Sequence, residues 1–423
     1  MKLLNISPET MDNFVSQNSK SHFMQTSSWG DVAKTRNQIP HLLGIYKEDE
    51  LIATALLLEK KIGPFSSFYC PRGFIGNYSS KEDIKEIINL LKKYIKRHHG
   101  LYLRMDPDLI IHKLNEKAEV KETFEDNEAL IDFFISLGAT YKGKTILFKE
   151  MSNPRFTFRV PLKGDTDTLL NQCHPTTRNI LNRETPVHIY KNPINGIKDF
   201  YETMSSTARK KAIYLEPYTF FDNFYHILHQ ANMSDVWVAE VNKQELISYY
   251  DEKELSLNEQ LNLATSDNAT KKQKALKNDL LDQLKKIAKE RKELDDIKEE
   301  RIVLSSVITA KYQDKVWIVH GGNNDILRSL FANYILYFNI LKDGQEEGRL
   351  YGDLFGTEGK VDKKSEVYGI YLFKLRFGGD FDEFIGEFDF IVRPFAYKII
   401  NYLLVKRRRF KYKMQLKKNE KKN

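Results

Sequence analysis

LYGDLFGTEGKVDKKSEVYGIYLFKLRFGGDFDEFIGEFDF, residues 350–390, gathers glycines and aromatic residues around a turn rich in cations. Residues 351–355 predict a strand. Gly356 and Gly359 then predict a loop that turns sharply or lets a ligand approach the backbone closely. Residues 368–377 set Lys374 and Arg376 among Tyr371, Phe373 and Phe377. Gly378 and Gly379 end that element, and residues 383–392 resume as an apolar strand. A lysine on a short aromatic segment between two glycine-rich turns suits an anion or oxyanion site. The same pattern equally fits a hairpin whose lysine faces solvent.

Outward from this stretch, a chain of 423 residues implies about two or three domains. Apolar content of 41% and aromatic content of 12% suffice for real cores. No apolar run is long enough for a transmembrane helix. The first residues lack the long apolar region and small-residue cleavage site of a signal peptide. Cys70 and Cys173 are the only cysteines, which points to a reducing compartment and no zinc framework. These features predict a cytoplasmic protein. The basicity is concentrated near the end: residues 406–423 hold ten Lys or Arg against Glu420, more than the whole net charge of +8. Such a tail suits a polyanion, either RNA or an anionic membrane surface, or is simply solvated.

Residues 41–72 predict strands, with a turn at residues 47–50. Ile84, Ile87, Ile88, Leu91 and Tyr94 recur at helical spacing and predict a helix over 81–98. A strand at 101–105 stops at Asp106-Pro107. A helix at 127–137 and a strand at 142–148 complete a mixed α/β unit. A similar order follows, with strands at 155–161 and 234–241 and helices at 165–184, 196–209 and 222–231. Residues 301–312 and 315–321 read as a strand pair, 328–343 as a helix, and 397–411 as an apolar-then-basic helix. Between 244 and 300 there is neither Gly nor Pro, and Lys, Glu, Asp and Leu dominate. Leu257, Leu261 and Ala264 form one helical stripe; Leu276, Leu280, Leu284, Ile287, Leu294 and Ile297 form another. The polar turn at 265–270 favours an antiparallel hairpin over a dimerising coiled coil.

Several segments in this order resemble the Fem-type aminoacyltransferases of peptidoglycan bridge synthesis, and among them the FemX-like members. They are MQTSSWGDVAK (24–34), YCPRGFIGNYSSKE (69–82), LRMDPD (103–108), TRNI (177–180), the charged hairpin, HGGNNDILRSLFANYILY (320–337), and then YGDLFG, FKLRFGG and IGEFDF. The resemblance spans nearly the whole chain. It implies a mixed α/β fold of two domains like GNAT-type N-acetyltransferases, with the helical hairpin inserted in the second. The corresponding boundaries are 1–152 for the first domain, 153–243 with 301–396 for the second, 244–300 for the arm and 397–423 for a basic tail. It further implies transfer of Gly, Ala or Ser from aminoacyl-tRNA to the stem-peptide lysine of lipid II or UDP-MurNAc-pentapeptide. No metal or coenzyme is needed. Other Fem-type enzymes, and through the tail an anionic membrane surface at which the protein is peripheral, are further expected partners.

The resemblance assigns roles by position. Lys374 stabilises the developing oxyanion or leaving oxygen, and Lys34 contacts substrate phosphate. Asp106, at a strand end, accepts a proton or orients the amine, or simply forms the turn before Pro107. Arg72 binds an anion or serves the turn. Tyr351 and Phe373 wall the acceptor site or pack as aromatic core. TARKKAIYLEPYTFFDNFY (207–225) departs from the family: Lys210 takes one position of the arginines that meet the diphosphate, while Glu216 stands at the other. The turn that usually reads GxSS is GGNN here. His174 and His320 suit structural roles as well as acid–base ones. A non-catalytic scaffold binding tRNA or a partner is the alternative function. An acyl-CoA N-acetyltransferase ranks last, because no R/Q-x-x-G-x-G/A pyrophosphate cradle precedes a helix.

Overall fold

The computed structural model describes residues 1–142, 152–210, 214–266, 268, 270–365 and 367–400. The chain divides into two compact units. The first holds residues 1–157, 356–371 and 380 onward; the second holds 158–355 and 372–379.

In the first unit the alternation of residues 39–70 folds as expected. Ile39–Lys47 and Glu50–Ile62 pair antiparallel, and Glu50–Ile62 pairs with Phe65–Cys70. The chain then crosses over through the helix Lys81–Arg97 to the strand Gly100–Met105, which runs parallel to Phe65–Cys70. Ser80 caps that helix by accepting the Asp83 amide, Glu82 and Asp83 sit in its first turn, and Lys96 and Arg97 in its last. Both charge placements favour the helix dipole. Ile84, Ile87, Ile88, Leu91 and Ile95 are all buried on one face, each stabilising by about 1.5–3 kcal/mol through burial. The expected strand at 142–148 falls largely on 143–151, outside the described residues; Ala139–Tyr141 is the strand described there.

One element of this sheet comes from far along the chain. Phe388–Ile391 inserts between Gly100–Met105 and Ala139–Tyr141, antiparallel to both. Phe388 and Phe390 are fully buried there with Phe134. Asp380–Phe384 likewise pairs with Ile110–Leu114 in the first unit. The sequence alone groups 301–396 in the second domain and does not reveal this return. Its cause is the local alternation of large apolar residues, whose partners lie hundreds of positions upstream.

In the second unit, His188–Lys191, Ser234–Asn242, Arg301–Tyr312 and Lys315–Asn323 form consecutive antiparallel pairs, and Tyr351–Thr357 joins parallel to the last. The expected GGNN turn is instead the end of the strand Lys315–Asn323, where Gly321, Gly322 and Asn323 pair with Val307, Ser306 and Ser305. Gly322 lies against the backbone of Thr203 and Met204 on the helix Gly196–Lys210, where a Cβ would collide. The arm leaves the sheet after Asn242 and returns at Arg301, and the Lys243 amide donates to the Glu300 carbonyl at 2.8 Å. It is the expected antiparallel hairpin, Lys243–Thr265 against Lys271–Asp295. Tyr250, Leu257, Ala264, Leu280, Ile287 and Leu294 are buried along it, while Leu276 is exposed. Thr270 and Gln273 close the turn as a reciprocal capping box.

Residues 368–377 are not a hairpin arm. Tyr368–Leu375 is an α-helix. Gly378 and Gly379 follow it at φ of 78° and 93°, pressed on the carbonyls of Gln172 and Arg159. Positive φ and missing space both call for glycine. The final helix is described over residues 394–400; the remainder of the expected span 397–411 lies outside the described residues.

Candidate active site

Two neighbouring parallel strands of the first unit, Phe65–Cys70 and Gly100–Met105, end in register, with Cys70 opposite Met105. The residues just past these ends, Pro71-Arg72 and Asp106-Pro107, therefore meet. Crevices at the carboxyl ends of parallel strands are where open α/β sheets bind ligands. Arg72 adopts φ of 59°, a left-handed conformation that is costly for a non-glycine residue. Its amide donates to Asp106 Oδ1 at 2.9 Å. Tyr69 Oη donates to the same oxygen at 2.9 Å, and Asn153 Nδ2 donates to Oδ2 at 2.9 Å. Asn153 also reaches Tyr69 Oη at 2.6 Å. Three donors leave one lone-pair direction of the carboxylate for a further proton.

Asp106 is 3% exposed. Burial pushes its carboxyl up to about 6, with Glu387 adding repulsion, while Arg72 and the hydrogen bonds from Asn153 and the Arg72 amide pull the other way. A carboxyl titrating near neutrality is what a general base needs. Tyr69 is held well above its ordinary value by burial and by the Asp106 charge. Its hydroxyl therefore stays protonated and keeps donating. Arg72 Nη2 donates to the Pro154 carbonyl at 3.3 Å, and its guanidinium lies 4.7 Å from the Phe384 ring centroid. Arg72 Nε is buried and has no partner among the described residues. Behind them, Arg104 pairs with Glu387 at 3.1 Å and grips Asp389 through two bonds of 2.8 and 3.0 Å.

In the second unit, Lys374 occupies the last turn of its helix and is 7% exposed. Its ammonium donates to the Phe355 carbonyl at 2.9 Å. A solvent-facing lysine is thereby excluded. Phe355 itself sits at φ of 61°, and its amide donates to Asp353 Oδ1 at 2.7 Å. A bulky residue in the left-handed region marks stored strain beside a buried cation. Phe373 stands edge-on to Tyr334 and Tyr337, each with centroids 4.8 Å away, so its ring packs in an aromatic cluster. Tyr351 is half-buried, and the Arg159 guanidinium stands 5.5 Å from its ring.

The remaining expected residues are held elsewhere. Lys34 is exposed and paired with Asp31 of its own helix at 2.7 Å. Lys210 pairs with Asp325, to which Arg328 is also bound. Lys211, the next residue, lies outside the described residues. His174 caps the helix Pro175–Leu181 by accepting the Thr176 amide, and His320 stands edge-on to Phe220, Phe221 and Phe224. His174 thus serves as a helix cap and His320 as part of an aromatic cluster. Sequence reasoning missed Tyr69 and Asn153. Tyr69 had a local signal, lying on an alternating strand two residues before Pro71; Asn153 had none.

Comparison with known proteins adds three findings. The sequence profile described as the FemAB family matches residues 6–404. Proteins named lipid II:glycine glycyltransferase from Staphylococcus aureus strains MRSA252 and USA300 are each 25% identical over 415 residues, covering 95% of this chain and 95% of their own. The crystal structure of FemX superposes with a TM-score of 0.73 at 24% identity, over 95% of this chain and all of that one, and so shares the fold. The profile match over nearly the full length decides the assignment: this chain belongs to the FemAB family.

Proposed function

We propose that this protein is an aminoacyltransferase that moves glycine from glycyl-tRNA to the stem-peptide lysine amine of lipid II or its UDP-linked precursor. The observation that carries the reading is the 415-residue similarity to lipid II:glycine glycyltransferases, which leaves no region of either chain unmatched beyond about a twentieth. An aminoacyl ester is already activated, so a free amine attacks its carbonyl carbon directly. The new C–N bond forms, the C–O bond to the ribose breaks, and the proton lost by the amine is returned to the ribose oxygen.

Three demands follow, and the chain has residues suited to each. A lysine amine, with an ordinary pKa of about 10.4, is mostly protonated at neutral pH. Asp106, ionised above about 6 and held by Tyr69, Arg72 and Asn153, is suited to take that proton. Charge grows on the carbonyl oxygen and then on the leaving oxygen, and Lys374 is a buried, oriented ammonium donor for it. Substrate phosphate requires cations, for which Lys34 and Lys210 are the side chains assigned by position, with Arg72 assigned to an anion. Lys34 and Lys210 are exposed and would exchange a surface carboxylate for phosphate.

The test is transfer of radiolabelled glycine, alanine and serine from their tRNAs to lipid II and to the UDP-linked pentapeptide. Glycyl transfer to either acceptor is the expected result. Absence of transfer from all three charged tRNAs would contradict the reading and favour a binding scaffold.

A further inference from the structure

We propose that Asp106 Oδ2 and Tyr69 Oη form the binding position for the acceptor's primary amine, and that the side-chain amide of Asn153 holds that position until the amine arrives. The inference rests on the transferase reading above and names where its amine sits.

The two oxygens of Asp106 are not equivalent. Oδ1 accepts from the Arg72 amide and from Tyr69 Oη, each at 2.9 Å. Both donors are fixed, one by its own backbone and the other by the strand Phe65–Cys70. Oδ2 accepts from Asn153 Nδ2 at 2.9 Å, and among the described residues it has no other donor. Asn153 Nδ2 also donates to Tyr69 Oη at 2.6 Å, whose own proton goes to Oδ1. One nitrogen thus gives one hydrogen to a carboxylate oxygen and another to a phenol oxygen. A lysine ammonium standing in the same place makes the same two bonds, and its charge strengthens the one to the carboxylate.

An asparagine suits the temporary role. Asp106 and Asn153 are 3% and 8% exposed. Withdrawing Nδ2 with nothing in exchange leaves a buried carboxylate oxygen without a donor, which is unfavourable. An amide does not give up its proton to a carboxylate, so Asp106 remains a base until an ammonium replaces it. The exchange needs only a turn of the Asn153 side chain, because the backbone on both sides is pinned. The Ser152 amide donates to Glu387 Oε2 at 3.1 Å, and the Pro154 carbonyl accepts from Arg72 Nη2 at 3.3 Å. The Arg155 carbonyl accepts the Phe384 amide at 2.8 Å. Once the ammonium is in place, its proton passes to Oδ2 and the nitrogen keeps the electron pair of the broken N–H bond. A remaining N–H still donates to Tyr69 Oη, which orients the neutral amine.

The test needs no turnover, so it and the transferase reading fail separately. n-Butylammonium, the end of a lysine side chain, is titrated at pH 8 into full-length protein carrying 13Cγ-labelled aspartate and 15N-labelled asparagine. The Asp106 carboxyl signal is assigned by its absence from Asp106→Asn. In wild type the Asp106 signal and the Asn153 side-chain amide signal should shift together and saturate together. Asn153→Ala, which empties the position, should bind the probe about 10- to 100-fold more tightly, because a side chain that must first release two hydrogen bonds lowers apparent affinity by about that factor. Tetramethylammonium, which has the charge but no N–H, should give no saturable shift in either protein. An Asp106 signal that responds while Asn153 stays still would overturn the inference, and the wild-type protein alone decides that. So would equal affinity in wild type and Asn153→Ala, or no saturable response to n-butylammonium in either.

Discussion

Replacing Asp106 by Asn separates the catalytic use of this carboxylate from its structural use. In the folded protein the group titrates at about 6 against an ordinary value of 3.8. A tenfold change in proton affinity corresponds to about 1.4 kcal/mol, so the ionised form is disfavoured in the fold by about 3 kcal/mol at pH 7. The sign follows from the direction of the displacement. Because the folded value is raised, the folded state binds more protons between about 4 and 6, and stability falls as pH rises through that window. The cost is fully developed above about 6 and absent below about 4. Asn removes it. Asn also keeps an oxygen for Tyr69 and Arg72 but turns an amine toward Asn153, losing about 1–2 kcal/mol of hydrogen bonding. The variant is therefore expected to be more stable than wild type by about 1–2 kcal/mol at pH 7, and this advantage should shrink by about 1 kcal/mol at pH 5. Urea unfolding at the two pH values measures both. Glycyl transfer by the variant should meanwhile fall by about 100- to 10,000-fold, and wild-type turnover should decline below pH 6. A stability difference independent of pH, or a variant that transfers glycine at the wild-type rate, would refute the reasoning.

Lys374→Met should keep the helix Tyr368–Leu375, since Met fills the aliphatic path of lysine, but leave the Phe355 carbonyl without this donor. A loss of about 100- to 1,000-fold in kcat, with far-UV circular dichroism unchanged, is expected in single-turnover transfer assays. Gly322→Ala sets a Cβ against the Thr203–Met204 backbone, which cannot yield as a side chain would. It should cost about 1–3 kcal/mol in urea unfolding. Glu290→Ala acts at the arm's base, where the carboxylate accepts Tyr250 Oη at 2.9 Å and the Ser329 amide at 2.8 Å. Leaving those buried donors unpaired should cost about 1–3 kcal/mol and speed hydrogen exchange at Ser329 and its neighbours.

How much was legible depended on whether the deciding interaction was local. The helix Lys81–Arg97 announces itself through an apolar face, an N-cap and dipole-matched charges, all within its own span. The arm does so through two stripes and a capped turn. By contrast, YGIYLFKL is apolar nearly all round and carries no period, so a short strand and a short helix read alike. Contacts with Tyr334 and Tyr337, set by the fold, settle it as a helix. The return of Phe388–Ile391 to the first sheet was hidden for a related reason: its partners Leu103 and Met105 lie almost 300 residues away, and alternation names a strand but not its neighbour. At the candidate site, Asp106 and Arg72 stand out in the sequence because each lies beside a proline at a strand end. That they share a hydrogen bond depends on the parallel register of two strands, which no local pattern specifies.

The most direct measurement is single-turnover transfer from labelled glycyl-tRNA to lipid II by wild-type protein beside the Lys374→Met and Asp106→Asn variants. A labelled glycyl–lipid II product from wild type, and loss of at least about a hundredfold in each folded variant, is the predicted result. Wild-type protein that binds both substrates and yields no product, or variants that turn over undiminished, would contradict it.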